Sequence, residues 1–105
     1  MNLKEESIWM SFDEEMIQKV WEKGRIVSNN DPDVWRKDEC DAWINRTEHG
    51  NRDSQYGWEI DHIDPDGGDE LSNLRPLQWE NNVATSDTGQ LTCAVTAEGT
   101  RNVRR

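Results

Sequence analysis

Trp58-Glu59-Ile60-Asp61-His62-Ile63, followed by Asp64-Pro65-Asp66-Gly67-Gly68, decides how the chain is read. The first six residues mix β-branched, aromatic and charged side chains as a short strand does, and Pro65 with the Gly67-Gly68 pair must break it. Leu74 to Leu77 supplies an antiparallel partner. Trp79, Asn82, Val83 and Ser86 fall at i, i+3, i+4 and i+7, which predicts a helix carrying Asn82 on one face beside apolar neighbours. The order is strand, long loop, strand, helix. Adjacent residues of a flat strand point to opposite faces, so Asp61 and His62 can serve one site only if the strand bends or ends there.

Upstream, Ser11 with Glu14 forms a capping box, and Phe12, Met16, Ile17, Val20 and Trp21 recur at helical spacing until Gly24. This predicts an amphipathic helix over 11–24 whose apolar stripe docks on the domain. Ser28-Asn29-Asn30-Asp31-Pro32 is a cluster of turn formers, with Pro32 placed to open a short helix capped by Asp31. Ala42-Trp43-Ile44 reads as a strand, and Glu48 to Ser54 as a polar loop in which His49 is a solvated side chain. Downstream, alternating Leu91, Cys93 and Val95 predict a strand, Glu98-Gly99 a turn, and Arg101, Arg104 and Arg105 a basic end. The expected whole is one α+β domain over 1–105, with its core at 35–87 and a C-terminal tail at 88–105.

With 105 residues of which 32% are hydrophobic, the core must be small, and the six tryptophans serve to fill it. No apolar run reaches membrane length, and Met-Asn-Leu-Lys-Glu-Glu lacks the basic-then-apolar order of a secretion signal. These features predict a cytoplasmic protein with no membrane partner. Cys40 and Cys93 are far apart and outside any Cys-x-x-Cys pair, so reduced, half-buried thiols are expected. The net charge of −10 opposes simple nucleic-acid binding, since phosphate affinity rests on lysine and arginine. Acidity suits a site that concentrates cations, and equally a decoy that imitates nucleic acid and binds a DNA-binding protein without catalysis.

The chemistry-bearing residues are Asp61 and His62 in the strand, Asn73 after the glycine-bearing loop and Asn82 on the helix. Carboxylate and amide oxygens are hard ligands suited to magnesium-like ions, which keep several waters and leave room for a substrate phosphate. Histidine can take a proton from an attacking water near neutral pH. A calcium loop is a rival, with Asp64, Asp66 and Gly67 at its third, fifth and sixth positions. It fails because His62 and Asn73 would stand where that loop needs an aspartate and a bidentate glutamate.

Glu59-Ile60-Asp61-His62-Ile63-Asp64-Pro65, then Gly67 to Leu74, then Asn82 resembles the HNH nuclease signature, including the nine-residue step from Asn73 to Asn82. The resemblance covers roughly Trp35 to Asp87. It implies a ββα-metal core in which Asp61 and Asn82 hold the metal, His62 is the general base, and Asn73 holds the loop and the base in position. The activity it implies is hydrolysis of nucleic-acid phosphodiesters, DNA above all, with Mg²⁺ as cofactor and Mn²⁺ as a substitute.

Many members of that family carry two Cys-x-x-Cys pairs that bind a structural zinc. Here Cys40 resembles the first such position, while Trp43, Gln78 and Asn81 stand at the other three, so no structural zinc is expected and Trp43 and Trp79 are expected to replace it by packing. Arg36, Lys37, Arg52 and Arg75 are the candidates for phosphate contacts. One active site cuts one strand, so a double-strand break requires a homodimer or two visits. Targeting, for which no recognition domain is evident, would fall to a larger partner.

Overall fold

The structure, a computed structural model, describes residues 12–105. Trp9 and Ser11, and with Ser11 the expected capping box, lie outside the described residues. Helix α1 spans Glu14–Trp21, shorter than the expected 11–24, and Asp13 caps it by accepting from the Met16 N–H at 2.8 Å. Glu14 and Glu15 complement the positive end of its dipole. Ile17, Val20 and Trp21 are buried, so the apolar stripe is a docking face.

The short helix expected at Pro32 is a turn instead. The Asp31 side chain accepts from the Asp33 N–H, and its carbonyl accepts from those of Val34 and Trp35. The chain leaves this turn directly as strand β1, Trp35–Lys37, antiparallel to β2, Trp43–Asn45, so no length remains for a helix.

Strand β3, Trp58–His62, pairs with β4, Leu74–Gln78, placing Asp61 opposite Arg75 and His62 opposite Leu74. Helix α2, Trp79–Thr88, follows at once and packs on both strands. Gln78 caps it, its Oε1 accepting from the Glu80 and Asn81 N–H groups. The buried residues of α2 are Asn81 and Thr85, whereas Asn82 is half-buried and Val83 exposed. The expected stripe is therefore rotated from the inward face, because α2 lies against the C-terminal segment as well as the hairpin. Asn81 holds that segment by accepting from the Ala94 and Val95 N–H groups.

The tail forms a third hairpin, β5 (Val95–Glu98) and β6 (Arg101–Arg104), turning at Gly99 with φ +63°. The strand expected from Leu91 begins only at Val95, and β6 has no apolar alternation to announce it. Three two-stranded antiparallel sheets and two helices make a small α+β domain among the described residues.

One face of the β3–β4 hairpin presents Trp58 and Leu74 to α1, where Trp21 and Trp58 meet with ring centres 5.4 Å apart beside Ile17, Val20 and Ile44. Among the described residues no helix is long and apolar enough to cross a membrane. Cys40 and Cys93 form a disulfide across 53 residues of sequence, so the expectation of reduced thiols is corrected. The pairing arises because the turn before β2 and the segment before β5 meet in space, a proximity that linear spacing does not reveal.

Candidate active site

Alternation along β3 puts Glu59 and Asp61 on the face that meets α2. Asp61 is buried, and its Oδ2 accepts from Arg75 Nε at 2.8 Å, while Arg75 also stands 3.7 Å from Glu39. Glu59 receives both prongs of the Arg52 guanidinium at 2.6 and 2.9 Å, and Asn82 Nδ2 donates to it at 2.8 Å. Burial pushes the Glu59 carboxyl up, but the hydrogen bonds from Arg52 and Asn82 outweigh it and hold the group below the usual carboxylate range. Among the described residues, Asp61 Oδ1 and the Asn82 side-chain oxygen accept no hydrogen bond. Two hard oxygens thus remain available on this side of the strand.

His62 is the last residue of β3 and points to the opposite face, its Nε2 2.6 Å from Asp69 Oδ1 and its ring 6.2 Å from that of Phe12. The strand neither bends nor ends between Asp61 and His62, which are both paired with β4, so the two side chains face apart; it ends after His62, and the loop folds back so that Asp69 reaches the imidazole. Asn73 fixes this loop. Its Oδ1 accepts from the Asp64 N–H, and its Nδ2 donates to the Asp64 and Gly68 carbonyls. A Cβ on Gly67 would lie 2.6 Å from that Nδ2, so the bare glycine is what lets the loop close over the amide. The Asn73 side chain makes no hydrogen bond to His62; its carbonyl instead accepts from the Ile63 N–H beside it.

The four candidates for phosphate contacts are all engaged internally. Arg36 is buried and donates to the carbonyls of Pro32, Glu22 and Gly24, so it serves the fold. Lys37 lies over the Trp43 ring at 4.8 Å and 3.5 Å from Asp41. Arg75 is committed to Asp61, and only Arg52 is largely exposed. A cleft of about 470 Å³ gathers Lys23, Arg25, Lys37 and Arg75, with Asp38, Glu39 and Asp41 among them.

Where the zinc ligands of the resembled family would stand, hydrogen bonds take over, and tryptophan packing does not. The buried Asp38 carboxylate accepts from the N–H groups of Cys40, Ala42 and Gln78 and from Asn81 Nδ2. Burial outweighs these four donors and leaves the carboxyl above its usual range. Trp43 and Trp79 sit outside this network, donating to Gly99 and Ser54 carbonyls. His49 is likewise not a free solvated side chain, since its ring rests 4.8 Å from that of Trp58, and burial, with Arg46 nearby, lowers its pKa.

Three residues escaped the reading of the sequence. Glu59 had a signal, two positions before Asp61 on the same face, but Asp38 and Asp69 had none, each being one acid among many. Among the described residues no three His, Cys, Asp or Glu side chains gather as a metal cluster. The available donors are one carboxylate and one amide, a set that fits an ion retaining most of its waters. No family model, characterised protein or solved structure matches this chain.

Proposed function

We propose that the chain is a metal-dependent endonuclease of the HNH type, with a ββα-metal core formed by β3, β4 and α2, acting on DNA. One observation carries the reading: a single strand–loop–strand–helix unit holds Asp61 and Asn82 on one side of β3 and His62 at its end, over a loop braced by Asn73. Asp61 and Asn82 would hold the ion, Mg²⁺ or Mn²⁺, whose chemistry is to neutralise charge developing on the phosphate. His62, at the strand terminus, takes the proton of the attacking water, and Asp69 orients the ring through Nε2. Asn73 keeps the loop from carrying Asp69 away.

The cleft that begins at Arg75, the partner of Asp61, holds four of the twelve basic residues together with Asp38, Glu39 and Asp41, so its side chains alone do not make it a phosphate track. On this reading the bound divalent ion would supply the positive charge that draws phosphate to so acidic a chain. The test is incubation of the purified chain with supercoiled plasmid, and separately with single strands, in Mg²⁺ or Mn²⁺. Nicking that EDTA abolishes is expected. Failure to cut either substrate with either ion would overturn the proposal and favour the non-catalytic acidic decoy.

A further inference from the structure

An asparagine side chain has nearly the same shape either way round, with an oxygen on one branch and an NH₂ group on the other, but only the oxygen can ligate a cation. A helix backbone does not decide which way the amide of Asn82 faces, so the choice falls to what the side chain touches. It touches Glu59, with Nδ2 2.8 Å from Oε1. An ionised carboxylate only accepts, so the branch against it is the nitrogen and the oxygen is the branch left free. Glu59 is itself held. Arg52 donates to both of its oxygens at 2.6 and 2.9 Å, and the same guanidinium lies 5.9 Å from the centre of the Trp79 ring. Trp79 and Asn82 stand three residues apart on α2, so Arg52 and Glu59 join the polar loop and β3 to the helix beside the candidate ligand. With the Glu59 side chain only 18% exposed, water competes little for these bonds.

We infer that Glu59, clamped by Arg52, is a positioning residue for the proposed ion site, holding the Asn82 amide the right way round without touching the ion. Its hydrogen bonds distinguish it from Asp61. Both Glu59 oxygens are engaged, Oε1 by Asn82 and Arg52 and Oε2 by Arg52, whereas Asp61 uses Oδ2 on Arg75 and keeps Oδ1. Partners of this outer kind fix the orientation of a ligand, and losing one typically costs about 10- to 100-fold in metal affinity or activity. The inference rests on the nuclease reading for the role of Asn82, and it gives Arg52 a task other than phosphate contact. If the three side chains only fastened the loop to the helix, their loss would lower stability and leave the ion site unchanged.

The test is a double-mutant cycle on the full chain, read by calorimetric titration with Mn²⁺ and accompanied by thermal melts. Glu59→Ala should weaken Mn²⁺ binding by about 10- to 100-fold, while the same change made in Asn82→Ala should weaken it much less, because the side chain it acts through is gone. Loss of the Glu59 charge by itself would act alike in both backgrounds, so the difference between them reads the positioning. Arg52→Ala supplies a second cycle and decides if Glu59→Ala does not fold. By charge alone, removing that cation would tighten Mn²⁺ binding, whereas release of Glu59 should weaken it. Equal losses from Glu59→Ala in the two backgrounds, or tighter binding in Arg52→Ala, would overturn the assignment. Either result in a chain that nicks plasmid would sink the role of Glu59 and leave the nuclease reading standing. A cycle that behaves as expected in a chain that cuts nothing would do the reverse, and a wild type that binds no Mn²⁺ would overturn both.

Discussion

Asp61 and His62 are joined by a peptide bond yet face apart, the carboxylate held by Arg75 against α2 and the imidazole turned to Asp69 at the end of β3. The strand places the proposed ligand and the proposed base on either side of the same edge.

This separation makes the two residues independently testable. His62→Ala leaves the Asp61 and Asn82 oxygens in place, so calorimetry should still detect Mn²⁺ binding while cleavage falls by on the order of 10² to 10⁴. Asp61 needs a gentler change, because Asp61→Ala strands the buried Arg75 charge and should destabilise the fold by about 3–5 kcal/mol. Asp61→Asn keeps an acceptor for Arg75 and should weaken Mn²⁺ binding with the melting transition less disturbed. Metal binding lost in His62→Ala but kept in Asp61→Asn would reverse the roles.

The loop brace predicts a pair of variants with one phenotype. Asn73→Ala removes three hydrogen bonds across the turn, and Gly67→Ala drives a methyl against the amide nitrogen that makes two of them. Each should lower cleavage without changing Mn²⁺ affinity. Because both act on the same contact, the double variant should be little worse than either single one, a non-additivity that a double-mutant cycle reads directly. Additive losses would mean that the loop is held by something other than Asn73.

The strand–loop–strand–helix frame of the candidate site was legible because the strand and turn signals from Trp58 to Gln78 are local. The alternation about Asp61, the break at Pro65 and the glycines, and the helix from Trp79 all follow from neighbours in sequence, and the structure forms them there. The direction of α2 was not legible. Trp79, Asn82, Val83 and Ser86 look like a core face, but the C-terminal segment offers unpaired N–H groups, and Asn81 is buried in meeting them. The same long-range closure hid the disulfide, the role of Asp38 and strand β6. Each depends on chain ends whose approach leaves no periodic trace.

Acid should unfold the domain in stages that can be assigned. His49 has its pKa lowered from the ordinary 6.5 by burial and by Arg46, so its charged form is disfavoured in the fold. Its contribution is present above 6.5 and is lost as pH falls through the folded value. Glu59 is lowered from 4.5, burial being outweighed by Arg52 and Asn82, so its contribution is present above 4.5 and lost below. Asp38, raised from 3.8 by burial, acts in the opposite sense: its ionised form costs stability, and acid relieves that cost. Denaturant midpoints measured against pH should therefore lose the upper slope in His49→Gln and the lower one in Glu59→Gln. An unchanged upper slope in His49→Gln would show that burial against Trp58 is not what disfavours its charge.

The junction around Asp38 should be the most fragile part of the fold. Its carboxylate serves four donors, and Asp38→Asn would turn an amide nitrogen toward the Gln78 N–H and the Asn81 amide, which then have no acceptor. Each unsatisfied buried donor costs about 1–3 kcal/mol. The Cys40–Cys93 bond ties the same junction from the other side, and removing a disulfide from a small domain typically costs about 2–5 kcal/mol. Chemical denaturation of wild type with and without reductant, and of Asp38→Asn, measures both losses. Disulfides persist in oxidising surroundings and are rare in the cytosol, so the reduced form is the one the expected cytoplasmic setting would select. In that form the segment beside Cys93 is held by hydrogen bonds alone, those from Ala94 and Val95 to Asn81 among them, and hydrogen exchange at those two amides should quicken before any at Trp58 or Leu74 in the core. Zinc should restore none of the loss, since Asp38, Gln78 and Asn81 present oxygen and amide groups where a zinc site needs thiolates. Recovery of the reduced protein by stoichiometric zinc would show that this junction can hold the metal after all.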